Sequence, residues 1–133
     1  MSIQQPQHWY EWYPYIILHH YADFKGCAAR PEYWYSVLLG ILIGLGADAL
    51  FALSYHTVLH PLIHAALLLF DLAVLCPTIA VLVRRLHDVN KSAWYILLEL
   101  IPILGWIWLL FILAQPGVMD GNRYCDSRIG GEA

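Results

Sequence analysis

The chain has 133 residues, of which 60% are hydrophobic and only 13% are charged, and its mean hydropathy is +0.57. A soluble domain is close to half apolar and about a quarter charged. So few charged side chains cannot cover a surface in contact with water, and the composition predicts a membrane protein. The net charge is −3 and no large basic patch is present, which argues against nucleic acid as a partner.

Residues 8–24 are rich in Trp and Tyr but are too short and too polar to cross a membrane. They lack the basic start of a signal peptide, so we expect the first membrane helix to act as an uncleaved insertion signal. Trp and Tyr collect at the membrane–water interface. The stretch therefore predicts a short interfacial amphipathic helix lying on the membrane, kinked at Pro14, with a soluble cap on the helix bundle as the alternative.

Three long apolar runs follow, over residues 33–53, 62–83 and 93–114. Each contains about twenty residues, which at about 1.5 Å per residue cover the ~30 Å hydrocarbon core of a bilayer. Only helices and closed barrels satisfy every backbone polar group in lipid, and no run alternates in polarity. The sequence therefore predicts an all-α membrane protein: a single domain whose three transmembrane helices occupy 33–114, followed by a tail, 115–133.

Basic residues are concentrated in two loops, and the loop between the first two runs, residues 54–61, has none. The positive-inside rule puts both basic loops in the cytoplasm. Three spans then put the N-terminus inside and the C-terminus outside. Alternatively, a re-entrant third segment, broken at Pro102 and Gly105, returns the tail to the inside. The basic residues are Lys25 and Arg30 before the first run, and Arg84, Arg85 and Lys91 between the second and third.

Residues 84–94 hold the densest cluster of charge, and we call them the RRLHD turn after their first five letters. Arg84 and Asp88 are four residues apart and can pair along a helix. The structural interpretation is an anchored turn at the membrane surface, joined by Arg30 or Glu32 from the other basic loop. The functional interpretation is a binding site, because clustered Lys and Arg attract anionic lipid headgroups or a partner protein.

Polar side chains recur every seven residues in the second run, which places them on one face of a helix. Such groups are costly at membrane depth and usually face the interior of a bundle. With one acid in each of the other runs, they predict either hydrogen bonds between helices or a proton or cation path, which three helices can enclose only as an oligomer. The residues are His64, Asp71, Thr78 and Arg85 in the second run, Asp48 in the first and Glu99 in the third.

Small residues line one face of the first run, where Gly40 and Gly44 stand four apart. Small residues at this spacing let another helix approach closely, either within the chain or in a homo-oligomer. The spacing continues to Asp48, which predicts that this acid lies on the packing face rather than toward lipid.

Cysteine and histidine residues offer the remaining candidates for chemistry. We interpret Cys27, Cys76 and Cys125 as isolated thiols, since three cysteines do not make a disulfide framework. Three histidines within residues 56–64 have a spacing that resembles metal ligands, but Pro61 interrupts them and we interpret them as a chance cluster. Nothing resembles a nucleophile with its base or a nucleotide fingerprint, so the sequence predicts no enzyme, no metal and no cofactor.

The chain carries GCAARPEYW, RRLHD after a proline in the second run, SAWY, IPILGW and PGVMDGNRY. These motifs, over roughly residues 15–125, resemble a family of small bacterial inner-membrane proteins catalogued as domain of unknown function 805. The resemblance implies a multi-pass protein of the inner membrane without assigned activity, so the predicted outside of the C-terminus is the periplasm. The matching positions are Gly26, Arg30, Glu32, Tyr33, Trp34, Arg84, Arg85, Leu86, His87, Asp88, Ser92, Trp94, Pro102, Gly105, Pro116, Gly117, Asn122, Arg123 and Tyr124.

The chain departs from the family pattern at several positions. Cys27 stands where the family usually has Arg, Ala29 where a polar or basic residue is common, and Cys125 where it has Gly. Residues 118–120, VMD, replace the usual Thr-Pro-Gly, and Glu99 stands where an apolar residue is expected. These departures argue against a full basic cluster in the first loop and make Glu99 a peculiarity of this chain.

We therefore expect a non-catalytic protein of the lipid bilayer that binds anionic headgroups or a membrane-protein partner at the cytoplasmic RRLHD turn. The alternative is an oligomeric transporter or a proton or cation pathway that uses the intramembrane acids. The residues expected at the binding site are Arg30, Glu32, Trp34, Arg84, Arg85, His87, Asp88, Lys91, Trp94, Asn122 and Arg123.

Overall fold

A computed structural model describes residues 8–118 and 120–125 of the chain. Within this part every regular element is helical, which confirms the predicted all-α class. The elements are the α-helices α1 (Trp12–His19), α2 (Arg30–Ser54), α3 (His60–Asp88) and α4 (Leu104–Ala114), and the 3₁₀ helices Trp9–Glu11 and Ala93–Leu100.

The helices α2 and α3 form a long hairpin and correspond to the first two predicted spans. Both are long and apolar enough to cross a membrane. Proline stands in the first turn of each, where the missing N–H is no loss. Only 6% of the most apolar stretch of α2 and 22% of that of α3 is buried, so most of this apolar surface is left uncovered within the chain.

Pro77 interrupts the backbone hydrogen bonds of α3 and creates an attachment point for the N-terminal segment. Because Pro77 has no N–H, the carbonyl of Ala73 loses its helical donor. The hydroxyl of Tyr21 donates to that carbonyl at 2.5 Å. One residue further along, the hydroxyl of Thr78 donates to the carbonyl of Val74 at 2.8 Å, so Thr78 is satisfied within its own helix.

The N-terminal segment is helical from the 3₁₀ helix at Trp9 to the end of α1 at His19 rather than over the whole predicted stretch 8–24. Trp12 and Ile16 are buried, and Ile16 packs in the same apolar core as Tyr33 of α2 and Val81 of α3. The segment is therefore packed against the helix pair. Pro14 lies in the first turn of α1, where it needs no N–H, and the helix continues through it to His19.

The third segment is a short helical hairpin, and the continuous helix predicted over 93–114 is wrong. The 3₁₀ helix ends at Leu100, Pro102 holds the preceding residue extended, and Ile103 has a φ of 64° before α4 begins. The indole N–H of Trp106 then donates back to the carbonyl of Glu99 at 3.0 Å. The eleven residues of α4 cover roughly 16 Å, about half of a bilayer core.

Both ends of this hairpin lie at the same end of the α2–α3 pair. Its start is separated from Asp88 by only the four residues 89–92. Its end is held at the same place because the Arg85 guanidinium donates to the carbonyl of Leu113. The tail stays at this end as well, since Cys125 is disulfide-bonded to Cys27. The described residues therefore have the arrangement of the re-entrant alternative rather than that of three full-length helices.

We expect Gly105→Ala to disrupt the hairpin. An added Cβ would overlap the carbonyl oxygen of Leu98 and lie 2.8 Å from the Cβ of Ile101. Overpacking of this kind costs about 1–3 kcal/mol, which should appear as a lower unfolding temperature in detergent.

The matched control is Gly40→Ala, where an added Cβ meets no atom within 4 Å. Gly40→Ala should leave the unfolding temperature unchanged or raise it, since alanine is the better helix former. Equal unfolding temperatures for the two variants would contradict the described hairpin contact.

Candidate functional site

Arg85 is the centre of the RRLHD turn and is fully buried. Its guanidinium donates twice to the carbonyl of Leu113, at 3.1 and 2.9 Å, and once to that of Gln115, at 2.5 Å. A fourth bond goes to the carboxylate of Asp88. The last carbonyls of a helix have no helical donor and carry its negative dipole end, so Arg85 caps α4 with both hydrogen bonds and charge.

Arg84 joins the end of α3 to the start of α2. It donates to the carboxylate of Glu32 at 2.7 Å, and both residues are buried. The predicted pairing of Arg84 with Asp88 is wrong, because Asp88 pairs with Arg85 instead, while the expected arrival of Glu32 from the other loop is confirmed. The Nε and second terminal nitrogen of Arg84 are buried and make no hydrogen bond within the described part of the chain.

The tail packs over the RRLHD turn through its backbone and Asn122. The amide nitrogen of Asn122 donates to the carbonyls of His87 and Asp88 at 2.9 and 3.1 Å. Gly117 lies so close to Asp88 that an added Cβ would overlap the carboxylate. Asn90, with a φ of 57°, accepts the backbone N–H of Arg123 at 3.1 Å. These contacts explain why Asn122 belongs to the cluster as a positioning residue.

A disulfide between Cys27 and Cys125 fastens the tail to the first loop. Their Cα atoms are 5.7 Å apart although 98 positions separate them in sequence, so the interpretation as isolated thiols is wrong for this pair. Next to it, the rings of His87 and Tyr124 stack with centroids 4.3 Å apart. The sequence contained a signal for this pair, because both cysteines depart from the family pattern.

The Asp88 carboxylate and the sulfurs of Cys27 and Cys125 lie within 4.8 Å of one another, which makes them the one group among the described residues with metal-ligand geometry. The two sulfurs are bonded to each other, and the carboxylate is paired with Arg85. All three ligand atoms are therefore engaged within the chain.

The remaining predicted site residues lie around this buried cluster and are exposed or half-buried. Arg30 donates to the carbonyl of Ala114 at 2.7 Å but stays exposed, and the ammonium of Lys91 lies 5.6 Å from the ring centroid of Tyr95. The predicted set thus divides by burial. The buried members are Glu32, Arg84, Arg85, Asp88 and Asn122, the half-buried members are His87 and Lys91, and the exposed members are Arg30, Trp34, Trp94 and Arg123.

Six of the seven basic residues lie in the described part of the chain, and all six are at this end of the molecule. The backbone N–H of Ala28 donates to the carbonyl of Arg84, and the backbone N–H of Arg123 donates to the side-chain oxygen of Asn90. These bonds bring the first loop and the tail together here. The opposite loop, residues 55–59, contains no basic residue.

The intramembrane polar residues do not come together. Asp48, Asp71 and Glu99 are exposed, and none of their carboxylates hydrogen-bonds to another described residue. His64 and Thr78 are exposed as well, so the stripe on α3 faces inward only at Arg85. Within one chain the predicted inward stripe does not form, because α1, the hairpin and the tail cover only the end of α3 near the RRLHD turn. Farther along, α3 meets α2 alone, as where the ring centroids of His64 and Phe51 lie 5.3 Å apart.

The sequence profile of a family described as protein of unknown function (DUF805) matches residues 21–126. The chain belongs to this family. It is 32% identical over 114 residues to inner membrane protein YhaI of Escherichia coli K12, covering 86% of this chain and 92% of the relative. It is 33% identical over 128 residues to inner membrane protein YhaH of the same organism, covering 86% and 93%. No solved structure matches the chain.

Family membership and the two long apolar helices identify an integral membrane protein. The matched region contains α2, α3, the hairpin and the described tail up to Cys125, so it includes the whole buried cluster. Since α1 lies before residue 21, the profile does not extend to the helix that covers one side of the pair.

We expect Arg85→Lys to destabilise the protein although it keeps the charge. A lysine ammonium donates from one point and cannot reach the carbonyls of Leu113 and Gln115 and the carboxylate of Asp88 together. Leaving buried partners unpaired costs about 3–5 kcal/mol, which unfolding in a denaturing detergent should measure.

The matched control is Arg123→Lys, because the Arg123 guanidinium is exposed and makes no hydrogen bond within the described residues. Its stability should stay within about 0.5 kcal/mol of the native protein. Equal stability of the Arg85 and Arg123 variants would show that the buried bonds of Arg85 do not hold the hairpin.

Proposed function

We propose that this protein is a non-catalytic component of the bacterial inner membrane that binds anionic phospholipid headgroups around the RRLHD turn. The observation that carries the proposal is the concentration of all six described basic residues at one end of two long apolar helices. The relatives named as inner membrane proteins support the location.

The binding surface is the exposed rim and not the buried core of the turn. Arg84 and Arg85 are engaged by Glu32, by Asp88 and by backbone carbonyls, so their charge is not offered to lipid. Each Lys or Arg near the membrane surface contributes about 1 kcal/mol of attraction to anionic lipid. Trp rings favour the headgroup level. This rim consists of the exposed residues Lys25, Arg30, Arg123, Trp34 and Trp94 and the half-buried Lys91.

We propose that this end faces the cytoplasm and that both the N-terminal segment and the tail lie there. The positive-inside rule supports it, because a re-entrant hairpin leaves every described basic residue on one side. The Cys27–Cys125 disulfide favours the other side, since disulfides persist in oxidising compartments. We give the charges precedence, because they act on orientation during insertion and the thiols pair only afterwards.

A reporter pair fused to the C-terminus tests the topology. We expect a fluorescent protein that folds only in the cytoplasm to be active there, and alkaline phosphatase, which needs the periplasm, to be inactive. The same fusions placed in the loop 55–59 are the control and should give the opposite result. An active phosphatase at the C-terminus would show that the tail is periplasmic and would overturn the cytoplasmic orientation.

Neutralising the rim tests the lipid proposal. In the triple variant Lys25→Gln, Lys91→Gln, Arg123→Gln, we expect the protein to lose most of its preference for anionic lipid, about 3 kcal/mol if the contributions add. The measurement is the ratio of phosphatidylglycerol to phosphatidylcholine retained around the protein in nanodiscs made from a mixture of the two.

The matched control keeps the charges with Lys25→Arg, Lys91→Arg and Arg123→Lys, and it should retain the native lipid ratio. An unchanged ratio in the neutral variant would contradict headgroup binding. If the neutral variant instead loses a crosslink to a second membrane protein while its lipid ratio stays native, the rim binds a protein partner.

The alternative function, an oligomeric transporter or cation pathway, has weaker support. Gly44 is exposed and an added Cβ there meets no atom within 4 Å, so α2 is open to a second copy of the chain at this position. The acids Asp48, Asp71 and Glu99 would have to be brought together by that assembly, because they do not contact one another in one chain.

A further inference from the structure

A cavity of about 170 Å³ lies where α1, α2, α3 and the 3₁₀ helix Ala93–Leu100 meet. Most of its wall is apolar, with Ile16, Val37 and Val81 among the lining residues. The residues that could give it chemical specificity are Tyr13, Tyr33, Ser36, Thr78 and Glu99.

The cavity lies at membrane depth, away from the rim of basic residues. Ser36 is six residues beyond the start of α2 at Arg30, and Thr78 is ten residues before the end of α3 at Asp88. By helix rise, these positions are roughly 9–15 Å from the RRLHD turn. The site is therefore separate from the headgroup surface proposed above, and neither proposal depends on the other.

Two polar groups of the lining are available to a ligand. The Glu99 carboxylate makes no hydrogen bond within the described residues, and the Tyr13 hydroxyl oxygen is buried without a partner there. The hydroxyls of Ser36 and Thr78 already donate to backbone carbonyls of their own helices. A buried polar atom without a partner usually marks a place that water or a ligand occupies.

We propose that this cavity binds an alkylammonium ion, with Glu99 as its counter-ion and the rings of Tyr13 and Tyr33 as its walls. An ammonium group donates to a carboxylate and to a phenol oxygen and is attracted to the faces of aromatic rings. The apolar lining receives the carbon skeleton. A cavity of about 150 Å³ holds a benzene ring, so the space suits a small amine of that size.

The ammonium group can come from a free amine or from the headgroup of phosphatidylethanolamine drawn into the cavity. Both present the same R–NH₃⁺ chemistry. Glu99 supplies the charge recognition in either case, and the other two intramembrane acids, Asp48 and Asp71, do not line the cavity.

Titration of the full chain in nanodiscs of phosphatidylglycerol and phosphatidylcholine with benzylamine tests the proposal. Benzyl alcohol, which has the same shape without the charge, is the matched ligand control. We expect benzylamine to bind and benzyl alcohol to bind about tenfold more weakly or worse, because a hydrogen bond to a charged group contributes at least about that factor.

Glu99→Gln keeps the shape of the side chain and should weaken benzylamine binding by about tenfold or more. Asp71→Asn removes a carboxylate that does not line the cavity and should leave binding unchanged. If Glu99→Gln does not fold, Gly40→Leu tests the location of the site instead, because Gly40 lines the cavity and an added Cβ there meets no atom within 4 Å. The leucine should fill the space and weaken benzylamine binding, and unchanged binding would overturn the proposal.

Phosphatidylethanolamine in the nanodisc distinguishes the two sources. If the lipid supplies the group, it should compete with benzylamine in the native protein and be retained less by the Glu99→Gln variant. If only the free amine binds, the lipid should have no effect. Equal binding of benzylamine and benzyl alcohol, equal binding by the native and Glu99→Gln proteins, or no binding of either amine source would overturn the proposal.

Discussion

The buried guanidinium of Arg85 is the interaction on which the arrangement of this molecule depends. Burying a charged group costs several kcal/mol, and the cost is offset only when nearly every donor finds an acceptor. Arg85 has the carboxylate of Asp88 and the carbonyls of Leu113 and Gln115. Those carbonyls need a donor because a helix leaves its last carbonyls unpaired. The donors of Arg85 and the carbonyls at the end of α4 therefore pair with each other. Both sets of groups would be left without these partners if the hairpin did not turn back.

The other contacts at this end follow from the same constraint. Once α4 ends beside Arg85, the tail must leave from there, and Gly117 gives it room to pass over Asp88. The side-chain amide of Asn122 then donates hydrogen bonds to the carbonyls at the end of α3. Arg84 points the other way, to Glu32 at the start of α2. Two adjacent arginines thus connect three helices. Their positive charges are paired inside the protein and are not exposed at the membrane surface.

The molecule is packed at one end and open at the other. Near the RRLHD turn, the helix pair is covered by α1, the hairpin and the tail. Toward the loop 55–59, α2 and α3 contact each other but no other described element covers them. This gradient explains why polar residues with the same helical spacing have different surroundings: Arg85 is buried, but His64 and Asp71 are exposed. The cavity beside Glu99 forms where the packed region ends, because α1 and the 3₁₀ helix leave space between them there.

The sequence by itself determined the class of the protein, the first two spans and the importance of the RRLHD turn. These follow from local properties: the length of an apolar run must match the bilayer, and charge must stay near its edges. It also contained the break at Pro102 and Gly105, and it placed both cysteines among the departures from the family pattern. Local pattern could not decide whether the break bends the third segment or whether the cysteines meet.

Only the tertiary structure decided those questions. Hydropathy is the same for a helix that crosses the membrane and for two half-length helices that return. The position of the end of α4 beside Arg85 distinguishes the two arrangements. In the same way, spacing along one helix favoured Asp88 as the partner of Arg84, whereas packing brought Glu32 closer. Which partner a charged group takes depends on distances across the fold, and sequence spacing reports only distances along one element.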